Sequence, residues 1–144
     1  MHHPLDDDLR RCRHLAVYGT LMFGERNHST YLGSSLLATS GTIGGRLVEV
    51  PALTTDAYPY PALLPGSDRV VVHVFEVTQP EVLASVDRLE LEVDDDGRPE
   101  YERLITTVRA DAGEFIDAWC YHYRWPIPAH WRPIPGGDWR ARLR

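Results

Sequence analysis

One segment carries both a helix start signal and a helical period, and it sits among segments patterned as strands. Thr78 is a capping residue, Pro80 suits the first turn, and Glu81 stands three residues after Thr78, as in a capping box. Val82, Val86 and Leu89 then follow at i, i+4 and i+7, with Leu83 beside them. This predicts a helix at about 79–90 with one buried face. Strands are expected near 14–19, where His14 to Leu21 runs into a glycine-containing loop, and near 42–50. Arg69 to Val77 is rich in valine and reads most clearly as a strand. Tyr101 to Ala110 and Glu114 to Arg124 form two more, joined by Asp111 to Gly113 as a hairpin. A short helix is expected from Asn27 or Ser29 through Leu37. Tyr58 to Gly66 holds too many prolines for a central strand and is expected as a constrained loop or edge. Asp95, Asp96 and Gly97 with Pro99 read as a turn. The balance is α+β: a small mixed curved sheet or barrel with about two flanking helices.

A chain of 144 residues, 43% apolar and 25% charged, is one globular domain's worth. Residues 1–13 are polar and patternless and read as a flexible leader, leaving 14–144 as the single domain. Cys12 and Cys120 have no metal or redox spacing, which excludes a disulfide-rich scaffold. No apolar run approaches the roughly 20 residues of a membrane span, and the start lacks the basic-then-apolar order of a signal peptide. A cytoplasmic location and no membrane partner are expected.

The net charge of −6 disfavours nucleic acid, since phosphate binding needs clustered cations. The negative charge is concentrated in residues 81–102, which hold nine acids against Arg88 and Arg98. All 15 basic residues are arginine, so no enzyme lysine exists for Schiff-base chemistry. That bias also fits a bacterial genome of high GC content.

Two features suggest chemistry. Backbone N–H groups following a glycine at a strand end form an anion-binding nest, and Tyr18-Gly-Thr-Leu21 has that character. An ordinary strand-to-loop turn explains the same four residues. Glu90 ends the predicted helix beside the apolar Leu89 and Val86. Burial there, with Asp87, Glu92 and Asp94 near, would raise its pKa toward the range a general acid/base needs. A solvated acidic helix end is the competing reading. His122 and His130 fit no zinc motif, and no G-x-S-x-G is present. Cys12 and Cys120 read as buried or bystander thiols. Trp119, Tyr121 and Tyr123 alternate on one strand face, as core or cavity wall.

In order and spacing the chain resembles the gamma-glutamylcyclotransferase-like family, most closely its small gamma-glutamylamine cyclotransferase branch. The match runs through Val17 to Leu21, Tyr60 to Gly66, the strand Val70 to Val77 and the helix end Val86 to Glu90. It continues through Tyr101 with Arg103, Trp119 to Tyr123, and Pro135-Gly-Gly-Asp-Trp139, covering about residues 14–144. Relatives commonly have glycine after the glutamate and glycine in the strand, where this chain has Leu91 and Val72, and the acidic loop Glu92 to Glu100 is long.

The resemblance implies a compact mixed barrel with a cavity. It implies Glu90 as the catalytic carboxylate, and Tyr18, Gly19, Thr20, Leu21 and Tyr101 as substrate-binding residues. It implies a cyclotransferase, or closely related lyase, acting on a γ-glutamyl amine, amide or peptide as small-molecule substrate. The substrate's own α-amino nitrogen attacks the γ-carbonyl and closes 5-oxoproline, releasing the amine. Orientation and one carboxylate serving as base and then acid carry such a reaction, with no metal or nucleotide cofactor required. Two other readings compete: a non-catalytic small-molecule binding or interaction module on the same fold, and a metal hydrolase using His122 and His130.

Overall fold

The computed structural model describes residues 2–52, 58–91 and 99–142. Five strands close into a barrel in the order β1-β3-β2-β4-β5. They are β1 (His14–Val17), β2 (Leu36–Val50), β3 (Tyr60–Glu76), β4 (Tyr101–Ala110) and β5 (Phe115–Tyr123). Helices α1 (Asp6–Arg11), α2 (His28–Leu32) and α3 (Pro80–Glu90) accompany them, and two short 3-10 turns follow at Pro135–Gly137 and Trp139–Ala141. All neighbouring strands are antiparallel except β1 and β5, whose parallel pairing of Leu15 with Trp119 closes the barrel.

Each expected strand is present, and two begin earlier than expected. β3 starts at Tyr60 and takes in the proline-rich segment as its first part. Pro61 pairs with Glu49 of β2, and β1 borders β3 only from His73 to Glu76. The segment Tyr60 to Leu64 is therefore an edge, where a residue without an N–H is tolerated. Pairing then jumps from Arg46↔Leu64 to Gly45↔Asp68, so Pro65, Gly66 and Ser67 bulge out of the ladder. β2 begins at Leu36, paired with Glu76, so α2 stops at Leu32 rather than reaching Leu37.

The helix over residues 80–90 forms, but its capping box does not. Gln79 is the N-cap, without a side-chain cap bond. Pro80 starts the first turn with its φ preset and no N–H to satisfy, which moves the boundary one residue past Thr78. Leu83 and Val86 are fully buried, docking α3 against the barrel core of Leu15, Val70, Val72, Val74 and Phe75.

The first residues are not the patternless leader that their polarity suggests. Asp6–Arg11 form α1, which buries Leu9, and Cys12 after it is buried too. Trp119 Nε1 donates to the carbonyls of Asp8 and Cys12 at 3.3 and 3.0 Å, tying α1 across β5. The expected turn at Asp95 to Gly97, and most of the acidic loop, lie outside the described residues.

Candidate active site

A cavity of about 480 Å³ opens at one end of the barrel. Four parts of the fold meet there: the loop after β1, the edge half of β3, the C-terminus of α3, and the β4–β5 hairpin. Tyr18, Gly19, Thr20, Leu21, Glu90 and Tyr101 all line it. The helix and loop readings thus converge on one space, although the two segments lie some seventy residues apart in sequence.

The loop is shaped by a close approach. A Cβ at Gly19 would collide with the ring of Pro61, so only glycine lets the end of β1 lie against the start of β3. The loop then turns on itself: Met22 N donates to the Gly19 carbonyl at 3.0 Å and Asn27 N to the Thr20 carbonyl at 2.8 Å. Asn27 Nδ2 also donates to Thr20 Oγ1 at 2.9 Å. Among the described residues, the N–H groups of Gly19, Thr20 and Leu21 donate to no carbonyl or side chain.

The tyrosines are structural walls. Tyr18 Oη donates to the Tyr121 carbonyl at 2.6 Å, and Tyr101 Oη donates to the Pro61 carbonyl at 2.7 Å. Burial holds both phenols well above their ordinary pKa, so they stay protonated. Tyr101 also packs edge-on to Tyr123, which lies edge-on to Trp131.

Glu90 is half-buried at the last position of α3. Among the described residues its carboxylate has no ion pair or hydrogen bond. Burial pushes its pKa up to about 7, and the nearby charge of Glu100 adds to this. The neighbour differs from the sequence expectation. Asp87 is engaged elsewhere, while Glu92 and Asp94 lie outside the described residues. Glu100, the last residue of the acidic loop in the sequence, lines the cavity and accepts from Tyr60 Oη at 2.9 Å.

Asp87 belongs to a buried network that sequence reasoning missed. Arg103 Nε and Nη2 donate to its two carboxylate oxygens at 2.8 and 3.1 Å, and Nη2 also donates to Asp8 Oδ2 at 2.7 Å. Tyr121 Oη donates to Asp87 Oδ1 at 2.6 Å. The guanidinium lies over the Trp119 ring, 4.5 Å from its centroid. The network pins α3 and α1 to the β4–β5 hairpin. The available signal was Arg103, two residues beyond Tyr101 and at an inward-facing alternate position of β4.

At the mouth, Arg26 lies 3.2 Å from the ring centroid of Tyr58. It is the one basic side chain among the described lining residues. Of the remaining candidates, His122 Nε2 meets Thr106 Oγ1 at 2.8 Å. Among the described residues no group of three or more His, Cys, Asp or Glu is placed to hold a metal ion. Burial pushes the Cys120 thiol up to about 12, and Cys12 Sγ donates to the Asp117 carbonyl at 3.3 Å. A thiol raised in this way lacks the lowered pKa of a nucleophile, which leaves Cys120 a buried core residue.

Comparison with known proteins identifies the family to which this barrel belongs. Residues 15–141 match the model of the gamma-glutamyl cyclotransferase, AIG2-like family. The chain belongs to this family of cyclotransferase enzymes. A Methanocaldococcus jannaschii protein named as a candidate gamma-glutamylcyclotransferase is 32% identical over 108 residues, 74% of this chain and 81% of that protein. The gamma-L-glutamyl-butirosin B gamma-glutamyl cyclotransferase of Niallia circulans is 33% identical over 110 residues, 76% of this chain and 65% of that protein. Among solved structures, a mouse AIG2-like protein superimposes with a TM-score of 0.60 at 24% identity, covering 81% of this chain and 80% of the other. An uncharacterised Pyrococcus horikoshii protein does so with a TM-score of 0.62 at 23% identity, covering 90% and 92%. These two likenesses show the fold.

Proposed function

We propose that this chain releases 5-oxoproline and a free amine from a γ-glutamyl amine, amide or peptide, with Glu90 as the general base and acid. The observation that carries the reading is Glu90 itself: a half-buried carboxylate with no hydrogen bond or ion pair among the described residues and a pKa raised to about 7, in the same cavity as the Gly19 loop. A carboxylate at that pKa accepts a proton from the substrate's α-ammonium and returns it to the departing nitrogen at neutral pH. The substrate supplies its own nucleophile, so the protein needs no covalent one. Its remaining tasks are to hold the bent conformer and to stabilise the oxyanion. The N–H groups of Gly19, Thr20 and Leu21, which have no partner among the described residues, suit either the α-carboxylate or that oxyanion.

The test is 5-oxoproline formation from a panel of γ-glutamyl amines, amides and peptides by wild type and Glu90→Gln. The amide is nearly isosteric and cannot accept the proton. Its turnover is expected to fall by roughly 10²–10⁴-fold, with the fold and γ-glutamyl binding retained. Full turnover in Glu90→Gln would assign the base elsewhere. Failure of wild type on every substrate, with binding intact, would favour a non-catalytic binding module.

A further inference from the structure

The loop that borders the cavity is held from behind by a histidine that the proposed chemistry does not use. His73 lies on β3 opposite Val17, the last residue of β1, where the loop leaves the barrel. It is 5% exposed, in a strand otherwise buried through Val72, Val74 and Phe75. An imidazole in such a place costs free energy unless its nitrogens are used. Phe23 N donates to His73 Nδ1 at 2.9 Å. Met22 N closes the turn onto the Gly19 carbonyl, so the Phe23 amide follows directly after the cavity-facing segment. The Phe23 ring is largely exposed, so burial does little to hold this residue. Two longer contacts flank the bond: His28 Nδ1 with the Leu21 carbonyl at 3.3 Å, and Arg142 Nη1 with Glu25 Oε1 at 3.6 Å. An amide N–H only donates, so Nδ1 must be bare and the neutral ring carries its proton on Nε2. Arg140 Nη1 lies 3.4 Å from that Nε2, donor against donor. A second ring proton would remove the acceptor for Phe23 and set an imidazolium beside a guanidinium. Burial first, then Arg140 and His28, hold His73 below its ordinary pKa, while Asp138, the partner of Arg140, and Asp111 oppose this.

We infer that His73 is a positioning residue for the substrate loop: its bare Nδ1 holds Phe23, keeps the Gly19, Thr20 and Leu21 N–H groups turned to the cavity, and releases them when the ring is protonated. This rests on the proposed cyclotransferase reading and adds a control on its anion-binding loop. His73 is not among the described residues lining the cavity, so it acts through Phe23. A histidine that only filled space in the barrel would be replaced without loss by an apolar side chain of similar volume.

Two variants separate the acceptor from the volume. His73→Leu fills the space and accepts nothing. His73→Asn places Oδ1 near the position of Nδ1, accepts a hydrogen bond and does not titrate. The probe is N-butyl glutaramic acid, which keeps the carboxylate and amide of a γ-glutamyl amine but lacks the α-amino nucleophile and cannot cyclise. Its calorimetric affinity at neutral pH is expected to fall by roughly five-fold or more in His73→Leu, the order of one N–H bond left unmade, and to stay within about two-fold in His73→Asn. The ratio of kcat/KM between wild type and His73→Asn carries the pH signature. It is flat at neutral pH and falls below the ordinary histidine value of 6.5, because only wild type loses its acceptor there. Glu90 titrates in both proteins and cancels. Nitrogen-15 NMR needs neither turnover nor a ligand. It is expected to show the Nε2–H tautomer for His73, with the Gly19, Thr20 and Leu21 amide signals displaced in His73→Leu and restored in His73→Asn. Failure of wild type to bind or cyclise any γ-glutamyl compound, with this NMR pattern intact, refutes the cyclotransferase reading and leaves the loop anchor standing. Loop amides and affinity unchanged in His73→Leu, a His73→Asn variant as impaired as His73→Leu, a ratio that stays flat as pH falls, or a proton on Nδ1 overturns the inference.

Discussion

Arg103 Nε donates to Asp87 Oδ1 at 2.8 Å, and Asp87 lies one helical turn before Glu90 on α3. The pair thereby fixes the end of α3 that delivers Glu90 to the cavity. Tyr121, itself a lining residue, donates to the same Asp87 oxygen and joins the cavity wall to the anchor. Arg103 is 9% exposed and bridges two carboxylates, Asp87 and Asp8. Removing it leaves both unpaired in partly buried settings. Arg103→Met is expected to lower stability by about 3–5 kcal/mol in urea denaturation and to reduce turnover. Arg103→Lys should restore only part of either, since one ammonium does not reproduce the forked contact with two acids. A Met variant as stable as wild type would show that the helix is held by Leu83 and Val86 alone.

How much of this was legible in the sequence depended on whether the signal was local. Val82, Val86 and Leu89 repeat within one helix, so α3 was readable, and Glu90 with it. The β4–β5 hairpin was readable from its turn. Tyr60 to Leu64 was ambiguous because proline excludes a central strand but not an edge, and whether a neighbour lies beyond is a property of the closed barrel. α1 was missed because its contacts run to Trp119 and Arg103, more than ninety residues away. Glu100 was read by its acidic neighbours, whereas its setting is fixed by Tyr60 across the cavity.

The pH profile should report Glu90. With its pKa raised to about 7, the base form is lost as pH falls through that value. Turnover, followed as kcat/KM for 5-oxoproline release, is expected to drop on the acid side with a midpoint near 7. Glu100→Gln removes the neighbouring charge and should shift that midpoint downward, leaving the part due to burial. An acid limb confined to the ordinary carboxylate range would mean that Glu90 titrates as a solvated group.

The same shift has a consequence for stability. Glu90 binds its proton more tightly in the folded chain, at about 7, than at its unperturbed value of 4.5. The stabilisation from that proton is fully present below 4.5 and is lost as pH rises through about 7. Wild type therefore carries a buried charge at alkaline pH that Glu90→Gln does not. The variant should be more stable than wild type near pH 8, by about 1–3 kcal/mol after allowance for partial exposure, with the difference fading towards about pH 4. Urea midpoints of both proteins across that range measure it, and other titrating groups cancel in the difference. A constant difference with pH would remove the burial argument for Glu90.

Gly19 offers a test of how the cavity is built, separate from its charges. The ring of Pro61 occupies the space a Cβ at Gly19 would need, and the carbonyl of the same Pro61 accepts from Tyr101 Oη at 2.7 Å. Gly19→Ala must push the loop off β3 or displace Pro61 and strain the Tyr101 bond. An overpacked substitution of this kind destabilises by about 1–3 kcal/mol, and here the movement falls on the loop and wall facing Glu90. Gly19→Ala is therefore expected to lower the melting temperature and to raise KM for a γ-glutamyl substrate. Pro61→Ala removes the ring atoms that cause the collision while keeping the backbone carbonyl. In the double variant the two changes should compensate, with a coupling of about 0.5–3 kcal/mol relative to the sum of the singles. Strict additivity would show that Gly19 is required for the loop's own conformation and not for its approach to Pro61.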